Sequence, residues 1–303
     1  MVSTSYRRVL GLGCIALVTF FTLTACEVTS TGAGSALPNT PTALAHVAHM
    51  VQVSTAKTVS DTGLTSGVTV TATCPTGAVL MSGGYAVTGP AAATAGLRAS
   101  YPDTPNSWTV NMIAIGNGGA VINGPFTVTA TANCLQNTIG IVSQVIANAP
   151  SVAGDNAVHS ATADCPSGSV VTGGGFNYAL GVVTNMPHAN GWAINVITQL
   201  GAATTAHVYA VCAVGTLTGA ATPSKVQAVP TSGSVSIAAA CQTGQTLVGG
   251  GFDLNGVPVN SFADSAASDF SAWADQMAVP GEVGPGAPRN GTVFAVCVTI
   301  TGL

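Results

Sequence analysis

Two kinds of hydrophobic pattern run along this chain. Near the start lies one uninterrupted apolar run, Val9 to Leu23. From about residue 46 onward the apolar positions come in short bursts, alternating with Thr, Ser and Asn or continuous over no more than a strand's length. Bursts such as Phe126 to Cys134, His207 to Cys212 and Val293 to Cys297 carry the period of a pleated strand, not that of a helix. Earlier bursts line up with one another as Val51-Gln52-Val53, Val142-Ser143-Gln144-Val145 and Lys225-Val226-Gln227-Ala228. The pattern predicts an all-β protein whose strands fall into three groups of four or five, roughly residues 50–136, 141–215 and 224–301.

The grouping is a true internal repeat, because fixed residues return at fixed distances. Three segments open with a cysteine and place glycine three residues later: Cys74-Pro75-Thr76-Gly77, Cys165-Pro166-Ser167-Gly168 and Cys241-Gln242-Thr243-Gly244. Eleven residues after each cysteine stands an aromatic, closing Ser82-Gly83-Gly84-Tyr85, Gly173-Gly174-Gly175-Phe176 and Gly249-Gly250-Gly251-Phe252. Each copy then holds one tryptophan (Trp108, Trp192, Trp273) and ends in a second cysteine (Cys134, Cys212, Cys297). The first copy departs at Ser82, where the others have glycine, and the third lacks the proline after Cys241.

Six cysteines allow 15 pairings, and spacing alone does not choose among them. Repetition does. The symmetric solution joins Cys74 to Cys134, Cys165 to Cys212 and Cys241 to Cys297, so that every copy carries the same staple. In the chain-entropy account, loops of this size stabilise the fold by around 4 kcal/mol each. No CxxC pair occurs and no histidine recurs at a matched place, so zinc and other metals are not expected.

Composition narrows the picture. Hydrophobic residues make up 47% of the chain, enough to build a core and unlike a disordered segment. Only 5% of residues are charged, which argues against long solvated helices. Beyond residue 26 the cations are Lys57, Arg98, Lys225 and Arg289 against ten acids, a charge near −6 with no basic cluster, so a nucleic-acid partner is not expected.

The apolar run follows Arg7 and Arg8 and leads into Leu23-Thr24-Ala25-Cys26, the layout of an export signal. The last four residues resemble the lipobox of bacterial lipoproteins. That resemblance implies removal of residues 1–25, lipidation of Cys26, and an extracytoplasmic chain anchored to the cell membrane through its acyl chains. Residues 26–45, rich in Ser, Thr, Gly, Ala and Pro, read as a flexible tether to a repeat domain of residues 46–303.

The repeat signature, Cys-Pro-x-Gly followed by Gly-Gly-Gly-Phe, a Trp and Tyr-Ala-Val-Cys, resembles one found in secreted proteins of high-GC Gram-positive and related bacteria. Three such units also look like the β-prism of vitelline-membrane outer-layer proteins and, more distantly, jacalin-type lectins. The expected architecture is therefore three pseudo-symmetric antiparallel units in a β-prism-like arrangement, with a β-trefoil or tandem β-sandwiches as alternatives. The prism likeness implies carbohydrate binding.

The residues themselves carry little chemistry. The glycine run could approach a ligand, but a Trp in every copy makes ring-over-glycine packing the economical explanation. It lacks the Lys and Ser or Thr of a phosphate loop. Exposed, Trp108, Trp192 and Trp273 could stack on sugars; otherwise they are core. The one local cluster of acids, Asp264, Asp269 and Asp275, suits either a solvated loop or a carboxylate pair of the kind glycosidases need. No Gly-x-Ser-x-Gly elbow exists, the histidines are scattered (His188 falls in a turn of the second copy), and no cofactor is implied. The expected role is non-enzymatic, structural or adhesive, with glycans or other envelope components as partners. The alternative is an envelope carbohydrate-active enzyme using the acids of the third copy.

Overall fold

The computed structural model describes residues 48–300 apart from 60–66, 91, 93–94, 115–124, 139, 179–180, 231–233, 255–259, 268–269, 271 and 279–288. The leader, Cys26, the whole tether and Asp269 lie outside the described residues.

The first repeat supplies β1 (His49–Val59), β2 (Val68–Thr73), β3 (Val79–Thr88), β4 (Ala95–Thr104), β5 (Ser107–Ala114) and β6 (Phe126–Gln136). The second supplies β7 (Val142–Asn148), β8 (Ser151–Val152), β9 (Val158–Asp164), β10 (Val170–Asn177), β11 (Val182–His188), β12 (Gly191–Ile197), β13 (Thr204–Thr205) and β14 (His207–Val214). The third supplies β15 (Leu217–Ala221), β16 (Ser224–Val229), β17 (Ser234–Ala240), β18 (Thr246–Asp253), β19 (Asn260–Ala266), β20 (Ala272–Ala278) and β21 (Arg289–Ile300). Alternation in the sequence becomes alternation in burial: Val68, Val70 and Ala72 of β2 point inward while Thr69, Thr71 and Thr73 face water.

These strands form three large sheets, each shared by two repeats, and one two-stranded sheet, β8 with β13, inside the second repeat. The orders are β1-β6-β3-β19-β20-β17, β2-β5-β4-β10-β14-β7 and β15-β21-β18-β11-β12-β9, with β16 also paired to β21. Each repeat thus completes one sheet with its opening, closing and glycine-rich strands and lends its tryptophan hairpin to another. The first repeat's β3 pairs with the third's β19, the second's β10 with the first's β4, and the third's β18 with the second's β11, all antiparallel. The exchange closes in a ring, which makes a prism of three faces and excludes tandem sandwiches, since none of the three large sheets belongs to one repeat alone.

Among the described residues each copy has at least six strands, not four or five. The strand that precedes the tryptophan (β4, β11, β19) alternates poorly in sequence because its pairing is set by a distant partner as well as by a neighbouring hairpin. For the same reason Met186, Pro187 and His188, expected in a turn, belong to β11, and the turn falls at Ala189 and Asn190.

Three features knit the faces together. The disulfides Cys74–Cys134, Cys165–Cys212 and Cys241–Cys297 each join the end of a hairpin strand in one sheet to the closing strand of another, so all three pairs of sheets are cross-linked. Bulges interrupt the glycine-rich strands at matching places, between Leu80 and Ser82, Val171 and Gly173, and Leu247 and Gly249. Here the strands meet about the pseudo-threefold axis. A Cβ on Gly173 would lie 2.5 Å from the Ser82 Cβ, and one on Gly249 would lie 2.1 Å from the Thr172 carbonyl oxygen. Only one of the three positions carries a side chain, and it is used: Ser82 Oγ donates to the Val248 carbonyl at 2.5 Å and accepts from Asn133 Nδ2 at 3.0 Å.

Candidate functional site

The tryptophans, the glycine runs and the third repeat's acids turn out to be one construction built three times. Trp108, Trp192 and Trp273 are among the most deeply buried side chains in the chain. Each ring lies on the middle glycine of its own repeat. A Cβ on Gly83, Gly174 or Gly250 would sit 2.2 Å from the indole, a distance no side chain tolerates. The next glycine serves the seam, because a Cβ on Gly84, Gly175 or Gly251 would sit 2.0, 2.1 or 2.0 Å from the carbonyl oxygen of Asp264, Ser100 or Asn185 on the neighbouring repeat. The glycine runs are therefore a packing device and not a ligand loop.

A buried indole N–H needs an acceptor. In the first repeat Trp108 Nε1 donates to Ser100 Oγ at 3.0 Å, in the second Trp192 Nε1 donates to Asn185 Oδ1 at 2.7 Å, and in the third Trp273 Nε1 donates to Asp264 Oδ1 at 2.5 Å. All three acceptors occupy the same place, opposite the aromatic that ends a glycine run: Ser100 faces Phe176, Asn185 faces Phe252 and Asp264 faces Tyr85. The sequence hid this position because the acceptor precedes its tryptophan by 8, 7 and 9 residues in turn. In the first copy a bulge between Pro102 and Thr104 takes up the extra residue, and in the third the connection from Ala266 to Ala272 is longer.

The third repeat differs by being acidic inside. Asp264 and Asp275 stand directly opposite one another on β19 and β20, both buried. The expectation of a solvated loop is therefore wrong for these two, because the register between β19 and β20 turns both carboxylates toward the core. The position of Asp275, two residues past tryptophan, is occupied by Val110 and Ile194 in the other copies, both fully buried. Loss of solvation pushes the Asp264 carboxyl up to about 7, against the opposing pull of the hydrogen bonds from Trp273 and, at 3.4 Å, from Asn185 Nδ2.

Asp155 and His159 pair at 2.7 Å in the second copy, and the hydrogen bond from His159 is the main cause that holds the Asp155 carboxyl below its usual range. Among the described residues no three His, Cys, Asp or Glu side chains are grouped so as to hold a metal ion. Also among them, no helix is long and apolar enough to cross a membrane.

Compared with known protein families and with curated proteins, the chain matches none.

Proposed function

We propose that this is an exported, lipid-anchored protein of the bacterial cell surface with a structural or adhesive role, and that glycans of the envelope are what it adheres to. The observation that carries this reading is that the residues recurring in all three repeats, cysteine, glycine, aromatic and tryptophan, are committed to cross-links, turns and packing. A repeat kept for catalysis would expose the same reactive group at equivalent places. Instead the repeated residues make a disulfide-locked frame suited to an oxidising compartment. Address comes from Leu23-Thr24-Ala25-Cys26, with residues 26–45 as the spacer from the membrane.

The enzymatic alternative rested on Asp264, Asp269 and Asp275. Two of these are inside the third repeat, with Asp264 bonded to Trp273, so a polysaccharide would reach them only if the sheet opened. Two experiments test the reading. Metabolic labelling with a radioactive fatty acid should mark the wild-type protein and not Cys26→Ala, and an unlabelled wild type would refute the anchor. Incubation of the full chain with cell-wall polysaccharides should retain it without releasing sugars; release that disappears in a folded Asp264→Asn variant would restore the enzyme.

A further inference from the structure

The outer faces of the three prism sides differ at one row. Along each seam, the residue after the indole acceptor and the closing-strand residue opposite the third glycine flank that glycine on the outside of the sheet. On one side these are Ser265 and Thr131, on another Met186 and Phe294, and on the third Tyr101 and Tyr209. Gly175 lies between the tyrosines. It pairs with Tyr209, and a Cβ on it would come within 3.0 Å of the Tyr101 Cα. With no side chain between them, the two rings lean together over the glycine and stack, centroids 5.0 Å apart.

Stacked, half-buried tyrosines on an open sheet face are not needed for the core, which lies on the opposite side. Their surroundings are polar. Toward one edge the row continues beneath the surface through Thr109, opposite Tyr101 and buried, to the exposed Thr71, the two joined by a 2.7 Å hydroxyl bond. Beside the row stand Asn177 and His207, paired across β10 and β14. Asp103 is exposed and close enough to both phenols that its charge, after the larger effect of burial, helps hold them above their usual range. Aromatic carbon surface bordered by hydroxyl, amide and carboxylate groups matches the two aspects of a pyranose, whose C–H face needs an apolar platform and whose hydroxyls need donors and acceptors. A cationic partner would use the rings and Asp103 but leave the Thr and Asn groups without purpose.

From this geometry we infer that the Tyr101–Tyr209 face of the prism is a carbohydrate-binding platform for a neutral hexose unit of an extended polysaccharide. The inference rests on the glycan-adhesion reading and gives it a place on the molecule. It predicts one such platform and not three, since Met186 with Phe294 and Ser265 with Thr131 lack the phenols.

The test is co-sedimentation of the detergent-solubilised full chain with insoluble glucan, mannan, galactan, chitin and peptidoglycan. Wild type should sediment with at least one of these, and Tyr101→Ala and Tyr209→Ala should each weaken retention by about tenfold. Ser265→Ala should leave it unchanged, and Tyr209→Phe, which keeps the stack, should retain most of it. Circular dichroism melts that match wild type separate loss of the platform from loss of the fold. Retention unchanged in folded tyrosine variants overturns the platform while leaving glycan adhesion standing. Failure of wild type to bind any of the polysaccharides overturns both, and retention abolished by high salt overturns the neutral sugar in favour of a charged partner.

Discussion

The indole sites of the first two repeats and that of the third have the same backbone and opposite chemistry. Trp108 and Trp192 donate hydrogen bonds to a neutral hydroxyl and a neutral amide, and the next inward residue on their strands is Val110 or Ile194. Trp273 donates a hydrogen bond to a carboxyl group, and the next inward residue carries a second one, Asp275. The frame demands an oxygen opposite each seam aromatic but is indifferent to which residue supplies it. By contrast it allows no variation at the glycine under the ring, where the distance is fixed by backbone.

That comparison can be broken or sharpened in four ways. The largest effect is with pH. The folded Asp264 binds its proton up to about pH 7, whereas the unfolded chain releases it near the ordinary carboxylate value. The stabilisation is therefore fully present in acid and lost as pH rises toward and through the folded value. Chemical denaturation of wild type should show a loss of roughly 4 kcal/mol between about pH 4 and about pH 8, and Asp264→Asn, which copies Asn185, should flatten the curve. An equally steep curve in that variant would place the buried proton elsewhere.

Next come the glycines, where the three copies should behave alike. Gly83→Ala, Gly174→Ala and Gly250→Ala should each cost about 3 kcal/mol in urea melts, because the new methyl meets both the indole and a closing-strand carbonyl. A much smaller cost in one copy would show that its ring can move aside. Smaller again, Asp275→Val, which copies Val110, should raise stability at neutral pH by about 2 kcal/mol, since a packed apolar group does not need its lost hydration replaced. The smallest effect is at the neutral acceptors. Ser100→Ala should lower stability by about 1 kcal/mol by stranding the Trp108 N–H, and tryptophan side-chain hydrogen exchange should speed up at that ring alone.

Much of the fold was readable in the chain. The matched cysteines pointed to three staples because repetition removes the ambiguity of fifteen pairings, and a glycine run beside a lone Trp in each copy pointed to ring-over-glycine packing. The strands before the tryptophans were not readable. Ala95 to Thr104 contains Gly96, Arg98 and Pro102 and has no clean alternation, and it is a strand because β5 lies on one side and the second repeat's β10 on the other. The acids of the third copy were visible but misplaced, since their burial depends on the β19–β20 register.

What the sequence by itself determined is whatever recurs at fixed spacing: all-β character, three copies, their cysteine staples and the glycines that must lie bare. These follow from local period and from residues whose chemistry has few uses. Only the tertiary structure decided that the copies exchange hairpins around a ring, that Ser100, Asn185 and Asp264 are one position, and that Tyr101 meets Tyr209 over Gly175. Each of those facts is a register between strands far apart in the chain. Such a register is chosen by the fit of whole sheets around a shared axis, which no local pattern encodes.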